Sequence, residues 1–282
     1  MSELSGEYIR LHVTNALAED IGSGDATTNA LISADHQSEA YIITREDIVL
    51  CGTALAIAVF RQLDPHCEIH QIKKDGHQVG QGGGIMFITA STRALLTGER
   101  TALNFIQRLS GIATMTALYV NEVRDSGALI FDTRKTTPGW RLLEKHAVQC
   151  GGARNHRQGL DDMIMIKDNH LASMDGSSRI ARAVEITRKH APELKVEVEA
   201  DTIIQAKQAA DAGADIVLLD NMTPSELREA VSAVNNRSQT EASGGINLEN
   251  IKEIASTGVN HISVGAITHS APAVDISMEI KN

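Results

Sequence analysis

Short apolar runs alternate with segments of helical periodicity over the second half of the chain. The apolar runs cover residues 128–131, 163–166, 195–199, 214–219, 239–243 and 261–265. The helical segments cover residues 178–190, 201–212, 224–234 and 248–256. Strand–helix units of this length predict parallel strands joined by right-handed crossovers. Because six strands fall short of the eight in a full barrel, we predict an incomplete α/β barrel over residues 111–270, with a doubly wound open sheet as the alternative.

Residues 1–110 mix helices and strands without this regular alternation, which predicts a separate N-terminal α+β sandwich domain. The tail, residues 271–282, is expected to join that domain. Residues 95–125 have helical character, and we expect Gly111 to interrupt the helix. The other predicted elements are an opening helix over 7–20, paired strands within 38–52, a buried helix over 53–63, a hairpin over 67–79 with its turn at Asp75 and Gly76, and a strand over 81–92.

Composition excludes several classes of protein. A hydrophobic content of 42% is enough for a packed core, while a net charge of −10 argues against a nonspecific nucleic-acid binder. No run approaches the roughly 18 apolar residues of a membrane span, and the first residues do not form a leader pattern. Cys51, Cys67 and Cys150 are far apart and form no CxxC pair, so neither a disulfide framework nor a zinc knuckle is expected. We therefore expect a cytoplasmic protein with no nucleic-acid or membrane partner.

Residues 132–170 form a cationic stretch within this acidic chain, with seven of the 26 Lys and Arg and a net charge of +2. Five of its basic side chains are candidate ligands, because they follow two predicted strand ends or lie between them: Arg134, Lys135, His156, Arg157 and Lys167. Ligands collect where parallel strands end, because the strand holds a side chain rigidly while its tip meets solvent. A single base there would be interpreted as a solvated charge. Several within one short stretch predict an anion-binding site.

The later predicted strands end in carboxylates or in small, flexible residues. These residues are Glu197, Glu199, Asp220, Asn221, Ser243, Gly244, Gly245, Gly265 and Ala266. Strand alternation places Glu197 and Glu199 on the same face, and Glu199, nearer the strand end, is the better ligand. Carboxylates such as Glu199 and Asp220 can hold Mg²⁺ through water. The glycines after the last two strands let backbone N–H groups approach a phosphate closely, although a lone glycine pair is ordinarily only a turn.

Several blocks of sequence stand out at this point: DTRKTTPG, GGARNHRQGL and IKDNH in the centre, EDIGSGDATT and GERTALNFIQRLSGIAT before them, and ASGGINLENI and SVGAITHS after them. In order and spacing they resemble the quinolinate phosphoribosyltransferases, the decarboxylating nicotinate-nucleotide pyrophosphorylases of NAD biosynthesis. The likeness runs along almost the whole chain. Trp140 and Ala153 depart from the family pattern, where a smaller aliphatic residue and a third glycine would be expected.

The resemblance implies transfer of a phosphoribosyl group from phosphoribosyl pyrophosphate to quinolinate, with Mg²⁺, in a homodimer or larger assembly. It implies a pyridine dicarboxylate site made by Arg134, His156, Arg157 and, from a neighbouring subunit, Arg100. It implies that Lys135 and Lys167 face carboxylate and pyrophosphate, and that Glu199 and Asp220 hold the ribose and Mg²⁺ and act in catalysis with the two lysines. It implies a 5′-phosphate site at Ser243, Gly244, Gly245, Gly265 and Ala266.

Two other functions stay open on the sequence alone. A phosphoribosyltransferase of the same fold could act on another anionic acceptor, such as nicotinate, without decarboxylation. A sugar-phosphate sensor without turnover is the rival from another class, and the retention of both acids and all four bases argues against it. Lys135 or Lys167 could also form a Schiff base, as lysines do in barrel aldolases, whereas we expect both to act electrostatically.

Overall fold

The computed structural model of the protein describes residues 4–281, so residues 1–3 of the predicted first domain and residue 282 of the predicted tail lie outside the described part. The helices are α1 (Gly6–Ile21), α2 (Ala26–Leu31), α3 (Thr53–Leu63), α4 (Thr92–Glu122), α5 (Arg141–Cys150), α6 (Asp168–Ala172), α7 (Arg179–His190), α8 (Ile203–Asp211), α9 (Pro224–Val234), α10 (Ile251–Ala255) and α11 (Ala266–His269). The strands are β1 (Gln37–Thr44), β2 (Ile48–Val49), β3 (Glu68–Gln71), β4 (Gln78–Val79), β5 (Gly84–Ser91), β6 (Leu129–Phe131), β7 (Ile164–Ile166), β8 (Val196–Ala200), β9 (Ile216–Asp220), β10 (Gln239–Ser243), β11 (His261–Ser263) and β12 (Ile276–Lys281).

The chain divides into two compact units that are not contiguous in sequence. The first unit contains residues 1–117, 138–152 and 271–282, and the second contains residues 118–137 and 153–270. This division differs from a simple boundary at 110/111, because residues 111–117 and the segment with α5 fall in the first unit. A pattern of strands and helices along the sequence does not reveal such an excursion, since α5 has the same local character as a barrel helix.

The first unit is built around an antiparallel sheet with strand order β12-β1-β5-β3. Strand β1 lies between β5 and β12, and its residues alternate between the two faces so that Ala40 and Ile42 are fully buried. Period-two alternation of this kind is the pattern expected where one face of a sheet packs on a core. Helix α3 has the predicted bounds and buries Leu55, Val59 and Phe60 completely.

Two predicted strand pairings in this unit are wrong. Strands β1 and β2 do not pair with each other, because β1 pairs with β5 and β12 while β2 pairs with β4. Strands β3 and β4 do not form a hairpin, because β3 pairs with β5. Gly76, at φ +84°, still makes the turn, but the neighbouring Asp75 accepts hydrogen bonds from the backbone N–H groups of Gly52 and Thr53 at the start of α3. Long-range pairing of β3 with β5 therefore replaces the local hairpin that the sequence favoured, and Asp75 serves as a long-range cap of α3.

Helix α4 runs without a break through Gly111, where we expected an interruption. A methyl group at this position would overlap the carbonyl oxygen of Pro272, in the tail of the same unit. Glycine is therefore required for close approach of another segment and not for a bend. The tail continues into β12, which pairs antiparallel with β1 from Glu39↔Lys281 to Thr44↔Ile276.

The second unit is an incomplete α/β barrel, as predicted. Its six parallel strands have the order β6-β11-β10-β9-β8-β7, so the strands from β7 to β11 are neighbours in chain order and β6 lies beside β11. A doubly wound sheet reverses its strand order at a switch point, and this sheet does not. The strands carry fully buried aliphatic residues such as Val198, Val217 and Leu219.

Helices α6 to α11 follow strands β7 to β11 of the second unit, and two of their starts are marked in the sequence. Thr223 and Glu226 form the predicted capping box at the start of α9, with Pro224 in the first turn. Thr202 and Gln205 form a second capping box at the start of α8. Within the described residues, no helix is both long and apolar enough to cross a lipid bilayer.

Candidate active site

A cavity of about 560 Å³ opens at the carboxyl ends of the barrel strands. Every strand of the second unit contributes to its lining, either by its last residues or by the residues that follow it. The lining consists of Thr133, Arg134, Lys135, His156, Arg157, Met165, Lys167, Glu199, Leu218, Asp220, Asn221, Glu241, Ser243, Gly244, Gly245 and Ser263.

Most of the predicted site residues share this cavity. The structure brings together Arg134, Lys135, His156, Arg157, Lys167, Glu199, Asp220, Ser243, Gly244 and Gly245. The lining does not include Arg100, which is exposed on α4 in the first unit, nor Gly265 and Ala266 at the start of α11. Gly265 is nevertheless next to the site, because a methyl group built on it would meet Lys135 Cδ at 3.1 Å.

The two arginines of the cavity differ in their hydrogen bonds. Arg157 donates hydrogen bonds from its guanidinium to the carbonyl of Met163 at 3.2 Å and to the sulfur of Met165 at 3.4 Å. Burial lowers the pKa of Arg157, and the positive charge of Arg134 lowers it further. The Nε of Arg134 is buried without a hydrogen-bond partner among the described residues. An anion placed between the two guanidinium groups would relieve their repulsion and accept this unused hydrogen bond.

His156 is fixed at its backbone and at its ring. Its backbone N–H donates to Asp132 Oδ1 at 2.7 Å, and its Nε2 lies 3.1 Å from Glu197 Oε2 and 3.5 Å from Glu241 Oε1. Asp132 and Glu197 are fully buried, and Glu241 is 1% exposed. Ser263 Oγ donates to Glu241 Oε1 at 2.5 Å. The imidazole is therefore a buried, positioned group at the floor of the cavity and not a solvated one.

The chain segment around Arg154 pairs with the end of β6, and this pairing positions two parts of the cationic stretch relative to each other. Arg154 N donates to the carbonyl of Ile130 at 2.9 Å, and Asp132 N donates to the carbonyl of Arg154 at 3.1 Å. This parallel bridge aligns the residues before His156 with the end of β6. The bridge therefore holds two distant parts of the cationic stretch in register at one edge of the sheet.

Two carboxylates lie at the ends of the neighbouring strands β8 and β9. Glu199 Oε2 accepts a hydrogen bond from Lys167 Nζ at 2.7 Å, and Asp220 Oδ2 accepts one from Asn221 Nδ2 at the same distance. Burial raises the pKa of Asp220, and the negative charges of Glu199 and Asp201 raise it further. A divalent cation near Glu199 and Asp220 would relieve this repulsion, and carboxylate oxygens are the ligands that Mg²⁺ prefers. The pair fits a magnesium site.

The loop after β10 approaches its neighbour unusually closely. Gly244 and Gly245 have φ values of +95° and +63°, in the left-handed region that favours glycine. A methyl group at Gly244 would overlap Asn221 Oδ1, while Asn221 N donates to the carbonyl of Ser243 at 2.9 Å. The two loops thus pack against each other, and Ser243, Gly244 and Gly245 line the cavity. Glycine-rich backbone of this kind lets an anion such as phosphate approach closely.

Glu241 and Ser263 were missed in the sequence analysis, although a signal for Glu241 was present. In QTEAS, Glu241 and Ser243 are two residues apart and so lie on the same face of β10, as Glu197 and Glu199 do on β8. The alternation rule that favoured Glu199 therefore applied equally to Glu241. Ser263, at the end of a three-residue strand, had no comparable signal.

Comparisons with known proteins place these residues in context. The family model for the C-terminal domain of quinolinate phosphoribosyl transferase matches residues 112–279, and the model for its N-terminal domain matches residues 25–110. The nicotinate-nucleotide pyrophosphorylase (carboxylating) of the Arabidopsis thaliana chloroplast is 42% identical over 282 residues, which cover 94% of this chain and 80% of that protein. A probable enzyme of the same name in Bacillus subtilis is also 42% identical and covers 93% of this chain and 90% of its own.

A solved structure agrees with these sequence relatives. The nicotinate-nucleotide pyrophosphorylase from Francisella tularensis is 40% identical and superposes with a TM-score of 0.93. The match covers 99% of this chain and 98% of that one. The likeness therefore includes both units.

The burial of Glu197 generates a prediction about pH. Burial raises its pKa, with Glu241 adding to the shift and His156 opposing it. A raised pKa means that the stability linked to the protonated form is present at acid pH and is lost as the pH rises through the folded-state value. We expect the melting temperature of Glu197→Gln, relative to that of the unmodified protein, to increase from about pH 4 to about pH 8.

Thermal unfolding followed by circular dichroism at several pH values checks this expectation. Glu229→Gln, on the exposed side of α9, is the matched control and should give a difference near zero throughout. A relative melting temperature for Glu197→Gln that stays level or falls with rising pH would contradict the assignment.

Proposed function

The chain belongs to the quinolinate phosphoribosyltransferase family, and from this premise we propose that it transfers phosphoribosyl from phosphoribosyl pyrophosphate to quinolinate in NAD biosynthesis. The products are nicotinate mononucleotide, pyrophosphate and CO₂. One observation carries the proposal beyond family membership: four cations, Arg134, Lys135, Arg157 and Lys167, and three carboxylates, Glu199, Asp220 and Glu241, line a single cavity. Two anionic substrates and a divalent cation need that combination.

Quinolinate carries two adjacent carboxylates on a flat ring, and guanidinium forks bind such groups in pairs of hydrogen bonds. In this proposal Arg134 and Arg157 clamp the dicarboxylate, with His156 at the floor of the site. The support is the buried, unpartnered Nε of Arg134 and the mutual repulsion of the two arginines. The buried carboxylates behind His156 keep the imidazole in place as the substrate arrives.

The sugar phosphate is proposed to lie on the other side of the cavity. Glu199 and Asp220 would hold the ribose hydroxyls and Mg²⁺, and the loop with Ser243, Gly244 and Gly245 would bind the 5′-phosphate, with Gly265 and Ala266 near its edge. When bound, Mg²⁺ supplies positive charge to the pyrophosphate leaving group. Lys135 and Lys167 act in the same sense as point charges.

The reaction then follows from charge placement. The bond between ribose C1 and the pyrophosphate oxygen breaks, positive charge develops at C1, and the carboxylates of Glu199 and Asp220 stabilise it. Lys135 and Lys167 stabilise the negative charge that grows on pyrophosphate. The pyridine nitrogen donates its electron pair to C1. The resulting cationic ring can accept the electron pair of the bond to the neighbouring carboxylate, so CO₂ leaves and a proton from solvent replaces it.

The chain is further proposed to act as a homodimer or larger assembly in the cytoplasm. In this arrangement Arg100 of the neighbouring subunit completes the dicarboxylate site. Its exposure on α4 leaves its guanidinium available to a second molecule.

A coupled assay tests the proposed reaction directly. We expect the purified protein with Mg²⁺, quinolinate and phosphoribosyl pyrophosphate to release pyrophosphate and CO₂ in equal amounts, because transfer and decarboxylation occur on the same pyridine ring. Omission of quinolinate should abolish both signals. Turnover of nicotinate without CO₂ release would favour the rival acceptor, and the absence of any turnover would favour a sugar-phosphate sensor.

Replacing Arg134 by lysine tests whether this residue binds quinolinate and not phosphoribosyl pyrophosphate. Lysine keeps the charge but loses the planar fork, so we expect the KM for quinolinate to rise by roughly tenfold or more and the KM for phosphoribosyl pyrophosphate to change little. Arg154→Lys is the matched control, because Arg154 is exposed and outside the cavity lining. Equal increases in both Michaelis constants would refute the assignment of Arg134.

Purified mixed dimers test the role of Arg100. In a dimer of one Arg100→Ala chain and one Lys135→Ala chain, a site shared between subunits leaves one site with both defects and one with neither. We expect roughly half the activity of the unmodified dimer, while each variant alone stays nearly inactive. Steady-state rates of dimers isolated through two different affinity tags provide the measurement, and a mixed dimer no more active than its parents would mean that Arg100 does not act across subunits.

A further inference from the structure

The first unit contains a cluster of metal-ligating groups that the proposed reaction does not use. It consists of Cys51, Asp75, His146 and Cys150, one donor atom of each lying within 4.8 Å of all the others. All four residues belong to the first unit, whereas the cavity described above is lined by residues of the second. We call these four residues the thiol–imidazole cluster.

Rigid elements of the first unit build this cluster. His146 and Cys150 are four residues apart on α5, so they lie on the same face of the helix. Cys51 follows β2, and its backbone is held by Ser110, whose hydroxyl accepts from Cys51 N at 2.9 Å and donates to Cys51 O at 3.1 Å. Three elements that are distant in sequence therefore deliver the donors.

Asp75 is oriented by hydrogen bonds of its own. Its Oδ2 accepts from Gly52 N at 3.0 Å, and its Oδ1 accepts from Thr53 N at 3.1 Å and from Thr53 Oγ1 at 2.7 Å. Carboxylates that bind metals are commonly held in this way by surrounding donors. The carboxylate is therefore fixed, with Oδ2 3.3 Å from His146 Nε2.

Two of the donor–donor distances match those around a tetrahedral ion. His146 Nε2 lies 3.3 Å from Asp75 Oδ2 and 3.6 Å from Cys150 Sγ. Zinc bonds of about 2.3 Å to sulfur and about 2.0 Å to nitrogen or oxygen place the ligands of a tetrahedral site roughly 3.3–3.8 Å apart. Two thiols, one imidazole and one carboxylate also form a donor set that favours zinc over magnesium or calcium.

The burial of the cluster is that of a structural metal site. Cys51 is fully buried and Cys150 is 8% exposed, while the side chains of His146 and Asp75 are 14% and 19% exposed. The polar side of the cluster thus remains within reach of solvent. Four protein ligands fill a tetrahedral coordination sphere and leave no position for a substrate. This is the arrangement of structural zinc and not of catalytic zinc.

We propose that the thiol–imidazole cluster binds one Zn²⁺ per chain, through Cys51 Sγ, Asp75 Oδ2, His146 Nε2 and Cys150 Sγ. The ion would join α5 to the loop after β2 and to the turn before β4, all within the first unit. This site is independent of the proposed function, since none of its ligands lines the cavity. The spacing of the cysteines along the sequence predicted no zinc knuckle. Cys51 and Cys150 come together only in the tertiary fold, which that spacing does not reveal.

Metal analysis of the full chain tests this proposal. The protein is reduced, loaded with zinc and passed through gel filtration, and its zinc content is measured by inductively coupled plasma mass spectrometry. We expect about one equivalent of zinc per chain in the unmodified protein and none in Cys51→Ser or Cys150→Ser. Cys67→Ser is the matched control, because Cys67 is also a free thiol of the first unit but lies outside the cluster, and it should keep the metal. Zinc removal by a chelator should lower the melting temperature of the unmodified protein and of Cys67→Ser.

Cobalt gives a second measurement that does not depend on how well the serine variants fold. Co²⁺ added to the reduced, metal-free, unmodified protein should produce thiolate-to-cobalt absorption in the near ultraviolet and visible bands of tetrahedral cobalt, saturating near one equivalent and disappearing on addition of Zn²⁺. Zinc retained equally by the Cys51 and Cys150 variants, cobalt spectra without thiolate bands, or a Cys51–Cys150 disulfide that persists under reduction would each overturn the proposal.

Discussion

Two carboxyl groups buried inside the barrel, those of Glu197 and Glu241, require a polar partner, and the ring of His156 is placed to supply it. An ionised carboxylate without a partner at such depth would cost several kcal/mol. The ring of His156 faces both acids, while its backbone N–H donates to Asp132. Moving the histidine from the floor of the cavity would therefore leave both buried acids without this partner. Because Arg157 follows directly in the chain, the same constraint positions one of the two arginines of the site.

The cations above this floor are arranged as though for ligands of opposite charge. Arg134 and Arg157 repel each other, and the Nε of Arg134 has no hydrogen-bond partner among the described residues. On the other side, Asp220 is destabilised as a carboxylate by burial and by Glu199. Neither the repulsion between the two arginines nor that between the two carboxylates stabilises the folded protein. Groups held in such positions before substrates bind need no reorganisation when charge develops in the transition state, which is the basis of electrostatic catalysis.

The sequence predicted best those features that depend on local pattern. The six barrel strands, the bounds of α3 and the capping box at Thr223 follow from alternation, periodicity and turn chemistry, each of which acts within about ten residues. Strand partners in the first unit could not be predicted in this way, because β1 and β2 find their partners across the fold. The same limit hid the role of Asp75, whose carboxylate caps a helix that begins 22 residues earlier in the chain.

The excursion of residues 138–152 into the first unit shows how the two halves of the cationic stretch can share one cavity. The chain leaves the barrel unit after Thr137 and returns at Ala153, and the returning segment pairs with the end of β6 through Arg154. That pairing places Arg154 beside the end of β6, while Arg157, three residues further on, reaches Met163 and Met165 at β7. The segment around Arg154 also gives β6 a second partner besides β11, because β6 and β7 do not pair with each other. The gap in the barrel is therefore part of the site, because a closed sheet would leave no edge along which this segment could return.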